Sequence, residues 1–142
     1  MTIHLDIVTI ERNVLSEDVT YIAAPAIDGV VGILPRHEPL LTALSYGELR
    51  YQKDGKEYNF AIGGGFMEVR PDKVTVLADM AEHADEIDEA RAEEARKRAH
   101  ELLKEKPRSD AEYAALEASL RRAEVRLKVV RHRGRPLETQ NQ

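Results

Sequence analysis

The chain has 142 residues, 33% of them charged and 42% hydrophobic, and a formal net charge of −5, which suits one small domain or two modest parts and excludes a large multidomain enzyme. The acidic balance argues against a dedicated nucleic-acid binder, and the lack of cysteine excludes a disulfide framework, a thiolate nucleophile and a cysteine metal site. No run approaches the roughly 20 apolar residues that cross a bilayer, and Met1 to Val8 lacks the basic end and apolar core of a secretory signal, so the expected setting is cytoplasmic.

Seven of the eight glycines and four of the six prolines fall in the first 80 residues, whereas Ala, Glu, Arg and Leu dominate the rest. Glycine and proline punctuate turns, and the second set forms helix at low entropic cost. In chain order, Ile3 to Val8 alternates in period two and predicts a strand with one buried face. Further strands are expected at Val19–Ala24, Val30–Leu34, Glu48–Lys53, Lys56–Ile62, Phe66–Arg70 and Lys73–Leu77. Asp54-Gly55 between two of these is a hairpin signal, because both residues tolerate positive φ, and Pro71-Asp72 marks another reversal. Many short strands with close turns predict an all-β sandwich or small barrel over residues 1–84.

Residues 85–135 predict two helices, with 136–142 as a flexible tail. The first helix is expected from Asp85 to Glu105, with Ile87, Ala90, Ala95, Ala99 and Leu102 at helical spacing, and Pro107 ends it. Ser109 and Glu112 have the spacing of a capping box. Tyr113, Leu116, Leu120, Ala123, Leu127 and Val130 then form an apolar seam reaching about His132, widened by Ala111, Ala115 and Ala118. So much alanine lets the helices approach closely while burying little apolar area. A hairpin that stays closed and one that opens are both compatible with this pattern.

No enzymatic constellation stands out. Gly63-Gly64-Gly65 lacks the Gly-Lys-Ser/Thr ending of a P-loop and reads as a bulge or tight crossing. His37-Glu38 lacks the second histidine of a zinc helix, so His37 reads as a loop residue at a protein contact. The acidic run Glu82, Asp85, Glu86, Asp88 and Glu89 suits a helix start. Arg91 and Arg98, seven positions apart, share a helix face, as do Arg122 and Arg126. Four such guanidinium groups could converge on a polyphosphate or form a surface lattice with nearby glutamates. Arg121, Arg122, Arg126, Lys128, Arg131, Arg133 and Arg135 make the end of the second helix a basic strip suited to an acidic protein surface.

The stretches Val30-Val31-Gly32-Ile33-Leu34-Pro35-Arg36-His37-Glu38-Pro39-Leu40-Leu41, Gly63-Gly64-Gly65-Phe66-Met67-Glu68-Val69, Val74-Thr75-Val76-Leu77-Ala78-Asp79 and Ile87-Asp88-Glu89-Ala90-Arg91-Ala92 resemble, in that order, the epsilon subunits of bacterial F-type ATP synthases. The resemblance implies an N-terminal β-sandwich followed by a C-terminal antiparallel two-helix hairpin. It also implies a non-catalytic part of the central stalk, beside the gamma subunit and the ring of c subunits, peripheral to the cell membrane on its cytoplasmic side. Gly29, Val30, Gly32, Pro35, His37 and Gly47 become candidates for the rotor interface. With the helices extended, Arg121, Arg122 and Arg126 become candidates for contact with the alpha/beta catalytic head, where they would inhibit ATP hydrolysis.

Some members of that family bind ATP on the folded hairpin through Ile or Leu, Asp, two variable residues, Arg and Ala. Ile87, Asp88, Arg91 and Ala92 match every fixed position. By the same resemblance Glu82, Ile87 and Asp88 would face the nucleoside, while Arg91, Arg98, Arg122 and Arg126 would face the phosphates. Magnesium would modulate such binding by competing for phosphate oxygens, and no structural metal is expected. A free-standing ATP-binding sensor using the same hairpin is the alternative account.

Overall fold

The computed structural model describes residues 1–133. Its elements are β1 (Ile3–Val8), β2 (Asn13–Val19), β3 (Tyr21–Ala26), β4 (Gly29–Ile33), β5 (Leu40–Ala43), β6 (Tyr46–Lys53), β7 (Lys56–Val69) and β8 (Lys73–His83), then a 3-10 turn at Ala84–Glu86 and the helices α1 (Glu89–Glu105) and α2 (Ala111–His132). Residues 134–135, including Arg135 of the basic strip, and the expected tail at 136–142 lie outside the described residues.

Hydrogen bonding joins the strands in the order β2-β1-β8-β7-β6-β3-β4, with β5 beside the far half of β7. Three strands separate β2 from β6 in that order, yet Lys53 Nζ of β6 reaches Glu17 Oε2 of β2 at 2.6 Å. The sheet therefore folds over on itself as a sandwich, and one core collects Ile3, Leu5 and Ile7 of β1 with Ile22, Ile33, Leu49, Phe60, Met67 and Val76 from the other strands. The alternation of β1 decides its orientation, since these three residues are buried while His4 and Asp6 face outward. Asp54 and Gly55 both adopt positive φ, 52° and 75°, in the β6–β7 turn, as a tight primed hairpin requires.

Where two strands were expected at Lys56–Ile62 and Phe66–Arg70, the chain forms the single strand β7. Its buried positions change parity at the glycine triplet, from Phe60 and Ile62 before it to Met67 and Val69 after it. Gly64 and Gly65 take φ of 75° and 105° there, and the strand passes from pairing with β6 at Gly63 to pairing with β5 at Phe66. The expected strand Val19–Ala24 is divided between the ends of β2 and β3. β2 itself carries Asn, Ser, Glu and Asp, poor strand formers in isolation, and owes its place to pairing with β1.

The first helix starts later than Asp85. Ile87 is extended, with φ −88° and ψ 126°, and Asp88 caps α1 by accepting from the Arg91 amide at 3.2 Å. The Ser109 capping box does not form, because Asp110 accepts from the Glu112 amide at 2.8 Å and Lys106 Nζ holds the Glu112 carboxylate at 2.7 Å. The α1 face that is buried runs through Ala92 and Ala99, leaving the expected Ala90, Ala95 and Leu102 exposed. On α2 the buried residues are Ala123, Leu127, Val129 and Val130, while Ala111 and Ala115 face solvent. Arg131 of α2 lies 3.5 Å from Glu93 near the start of α1, as two antiparallel helices demand.

One surface cluster ties β1 to its neighbours. His4 Nδ1 lies 2.8 Å from Asp18 Oδ1, and Nε2 lies 2.9 Å from Ser16 Oγ and 3.1 Å from Asp6 Oδ1. The hydrogen bond to Asp18, with help from Asp6, raises the His4 pKa above its ordinary value. The charged imidazole therefore stabilises the fold below about pH 6.5, and this contribution disappears as pH rises through the folded-state value. Accordingly, His4→Gln should lower the melting temperature more at about pH 5.5 than at about pH 8.5; an equal loss at both would contradict the assignment.

Candidate functional site

A cleft of about 350 Å³ opens where the hairpin meets the sandwich, lined by Glu82, Glu86, Ile87, Asp88, Arg91, Ala92, Ala95 and Arg126. The chain builds it from three directions. β8 supplies Glu82 one residue before its end, the 3-10 turn supplies Glu86, and the break at Ile87 lets α1 begin with its amide end at the cleft. Across it, α2 contributes Arg126. A helix N-terminus offers unpaired N–H groups and a favourable dipole to an anion.

Most of the charges here already have partners. Arg126 Nε donates to Glu82 Oε1 at 2.8 Å and its terminal nitrogen to the same oxygen at 2.6 Å, with Met80 Sδ at 3.3 Å. Glu86 holds Arg12 at 2.8 Å and accepts from the His83 amide at 3.3 Å. Asp88 is committed to the Arg91 amide. Among the described residues the Arg91 guanidinium forms no ion pair, so it is the cationic group in the cleft that can receive an anion without exchange.

Of the residues expected to hold a nucleotide, Glu82, Ile87, Asp88, Arg91, Ala92 and Arg126 meet in this cleft. Arg98 does not line it; it sits two turns along α1, about 10 Å along the axis, bound to Glu94 at 3.1 Å on the solvent side. Arg122 donates to Ser119 Oγ at 3.0 Å, and Arg121 is exposed on α2. Glu86 and Ala95 also line the cleft and were not expected to. The signal for Ala95 was spacing, since it follows Ala92 by three residues and Arg91 by four, whereas Glu86 stood out only as part of the acidic run before the helix.

The other expected contact residues occupy two ends of an edge strand. Gly29 and Val30 open β4, the last strand in the hydrogen-bonded order, with Val30 69% and the nearby Ile27 65% exposed. Ile27 donates to the Ala43 carbonyl at 3.0 Å and Ser45 to the Pro25 carbonyl at 2.9 Å, which brings the chain just before Gly47 to this end. Gly47 packs on Pro25, so closely that a Cβ would fall 2.5 Å from the proline Cβ. Pro35 and His37 follow the far end of β4, where Arg36 donates to the Pro71 carbonyl at 2.8 Å and His37 Nδ1 lies 2.7 Å from the Glu38 carbonyl. Gly32 lies between, against the Tyr21 ring.

Among the described residues no group of three or more His, Asp or Glu side chains could hold a metal ion, and no helix is long and apolar enough to cross a membrane. The architecture defines a class: a β-sandwich bearing a helical hairpin, with a charged cleft at their junction. Residues 2–84 match the family model for the ATP synthase, Delta/Epsilon chain, beta-sandwich domain, and residues 85–131 that for its long alpha-helix domain. The ATP synthase epsilon chain of Herpetosiphon aurantiacus is 56% identical over 133 residues, covering 94% of this chain and 97% of that protein. That of Dehalococcoides mccartyi is 55% identical over 129 residues, covering 91% and 92%. Among solved structures, a chain of the Euglena gracilis mitochondrial ATP synthase (OSCP/F1/c-ring) superposes with a TM-score of 0.80 at 25% identity, covering 92% of this chain and 82% of that one. A chain of the Tetrahymena thermophila mitochondrial ATP synthase central stalk and c-ring shares the fold, with a TM-score of 0.57 at 12% identity. The chain belongs to the ATP synthase delta/epsilon family, as an epsilon chain of bacterial type: a non-catalytic, central-stalk subunit of a proton-driven rotary motor.

Proposed function

We propose that this subunit couples the catalytic head to the c ring through its sandwich and regulates ATP hydrolysis through its hairpin, with ATP holding the hairpin folded. The Euglena relative belongs to an assembly containing F1 and the c-ring, which supports the same neighbours here, peripheral to the membrane. The gamma subunit is the partner proposed for the sandwich, with Gly29, Val30, Gly47 and the Pro35–His37 turn at or beside the rotor interface. The exposed apolar groups at Ile27, Val30 and Leu34 support a protein contact along this edge.

The observation that carries the regulatory part is the cleft. It joins β8, the start of α1 and α2, so a molecule bound there contacts both helices and the sandwich at once and favours the folded arrangement in proportion to those contacts. ATP fits its chemistry. Arg91 and the amide end of α1 receive phosphate directly, and Arg126 joins by exchanging the Glu82 carboxylate for a phosphate oxygen. Arg98 and Arg122 contribute only if their side chains leave Glu94 and Ser119. Glu82, Ile87 and Asp88 remain for the nucleoside, and magnesium modulates binding by competing for phosphate.

Binding isotherms on the isolated protein test this. Arg91→Ala should weaken ATP by about tenfold or more, the worth of one charge-assisted hydrogen bond, while leaving adenosine nearly unchanged. Equal losses for both ligands, or no ATP binding by the parent, would contradict the proposal.

A further inference from the structure

Glu48 and Asn59 are the two polar residues buried among the described part of the chain, and both lie beneath the last turn of α2. On the β6–β7 ladder Glu48 stands opposite Ala61 and Asn59 opposite Arg50, on the outer face that the helix covers. Asn59 Nδ2 donates to Glu48 Oε2 at 3.0 Å and to the Val129 carbonyl at 3.0 Å. His132 Nδ1 lies 2.9 Å from Glu48 Oε1 and 2.8 Å from Oε2. The Val129 carbonyl is one of the four that end a helix without an intrahelical partner, and the Arg133 amide is committed to Val130 instead. The sandwich thus supplies the missing donor. Beside it Val129 and Val130 pack with Ala61, Ala84 and Ile87, flanked by Met80 and Val125, so a small apolar cluster and this polar set hold the foot of α2 together.

A surface meant to stay covered gains little from such groups, because buried ion pairs replaced by apolar residues are often neutral or stabilising. A surface that must alternate between covered and wet has a different requirement. If the helix leaves an apolar dock, it exposes a patch that invites association; if it leaves Glu48 and Asn59, it exposes groups that water solvates well. Arg50 is already positioned for that exchange, with Nε 4.0 Å from Glu48 Oε1 and a terminal nitrogen 3.3 Å from Glu57. When His132 departs, Arg50 can become the partner of Glu48. The remaining charges at this end, Arg133 with Asp85 at 3.6 Å and Arg131 with Glu93 at 3.5 Å, are solvent-exposed pairs that exchange readily with water.

We propose that Glu48 and Asn59, closing on Val129 and His132, form a release latch that sets how tightly the foot of α2 is held to the sandwich. This rests on the reading that the hairpin moves. The latch residues are distinct from those lining the nucleotide cleft, and His132 lies six residues beyond Arg126, about 9 Å along the helix. Nucleotide and latch therefore act on the same helix from separate points.

Amide hydrogen exchange on the full chain tests the latch, using Asn59→Ala and Glu48→Gln so that the sequence of α2 is unchanged. Asn59→Ala should speed exchange in the last turns of α2 by about tenfold, with β7 and β8 amides as slow as in the parent. Glu48→Gln should give a smaller increase in the same place, since its amide oxygen still accepts. Exchange in α2 within about twofold of the parent for both variants would overturn the latch. So would an equal acceleration in α2 and in β7–β8, because the two residues would then serve the sandwich as a whole. Assembled motors separate this from the regulatory reading: faster α2 exchange with unaltered inhibition of hydrolysis would leave the latch standing and contradict hairpin regulation.

Discussion

Replacing Gly65 with Ala should destabilise the sandwich by roughly 3–5 kcal/mol, combining a forbidden backbone conformation with a steric clash. Gly65 has φ of 105°, and a Cβ placed on it would lie 2.0 Å from the Leu77 carbonyl oxygen and 2.8 Å from Ala78 Cα. Those atoms belong to the backbone of the neighbouring strand, so no side-chain rotation relieves the contact. Relaxation would have to move β7 away from β8, or β7 off the Leu44 amide that donates to the Gly65 carbonyl at 2.8 Å. Both shifts strike the point at which β7 changes partners. For a small protein with a total stability of about 5–15 kcal/mol, the melting temperature should fall by roughly 10–20 °C. Gly55→Ala is the matched control. Its φ of 75° carries the conformational penalty, but open space surrounds the added methyl, so a loss of only about 1 kcal/mol is expected. Equal losses at the two positions would show that contact with β8 is irrelevant.

The same glycine triplet shows where sequence reasoning stops. Its composition identifies a bulge, but alternation on each side of it has opposite parity, which looks like two strands. Only the pairing of β7 with β6 and then β5 shows that the chain continues through. β1 and the Asp54-Gly55 hairpin were legible because their signals are local, resting on period-two burial and positive φ. β2 was not legible, since its polar residues take strand geometry from β1.

The cleft was legible through a family motif rather than through physical pattern. Ile87, Asp88, Arg91 and Ala92 are contiguous enough to be recognised, whereas the pairing of Glu82 with Arg126 spans 44 residues and has no periodicity. Arg98 shares a helix face with Arg91 by spacing, yet the partner it finds is Glu94 at i−4. Least visible were Glu48 and Asn59. In the sequence Glu48-Leu49-Arg50-Tyr51-Gln52 the glutamate occupies an outward position, and outward polar residues are expected to meet water. Its burial comes from the end of α2, where His132 lies 84 residues away in the chain.

Ending the chain after Asp85 should raise ATP hydrolysis by the assembled motor about fivefold or more, the lower range of an allosteric coupling. The core of the sandwich contains no residue of either helix, so the shortened chain keeps the surfaces proposed for rotor contact while losing both helices. What it exposes includes Glu48 and Asn59, which water can solvate. The triple variant Arg121/Arg122/Arg126→Ala should relieve inhibition in part. Losing Arg126 also removes its tie to Glu82, which makes the hairpin easier to open, so relief despite easier opening would identify the arginines with contact to the head. The decisive measurement is the hydrolysis rate of motors assembled with the parent, the shortened chain and the triple variant, at low ATP, where the proposed hold of nucleotide on the hairpin is weakest. The shortened chain should give the fastest rate, the triple variant an intermediate rate and the parent the slowest, with equal assembly in all three. Equal rates from equally assembled motors would contradict a regulatory role for the hairpin.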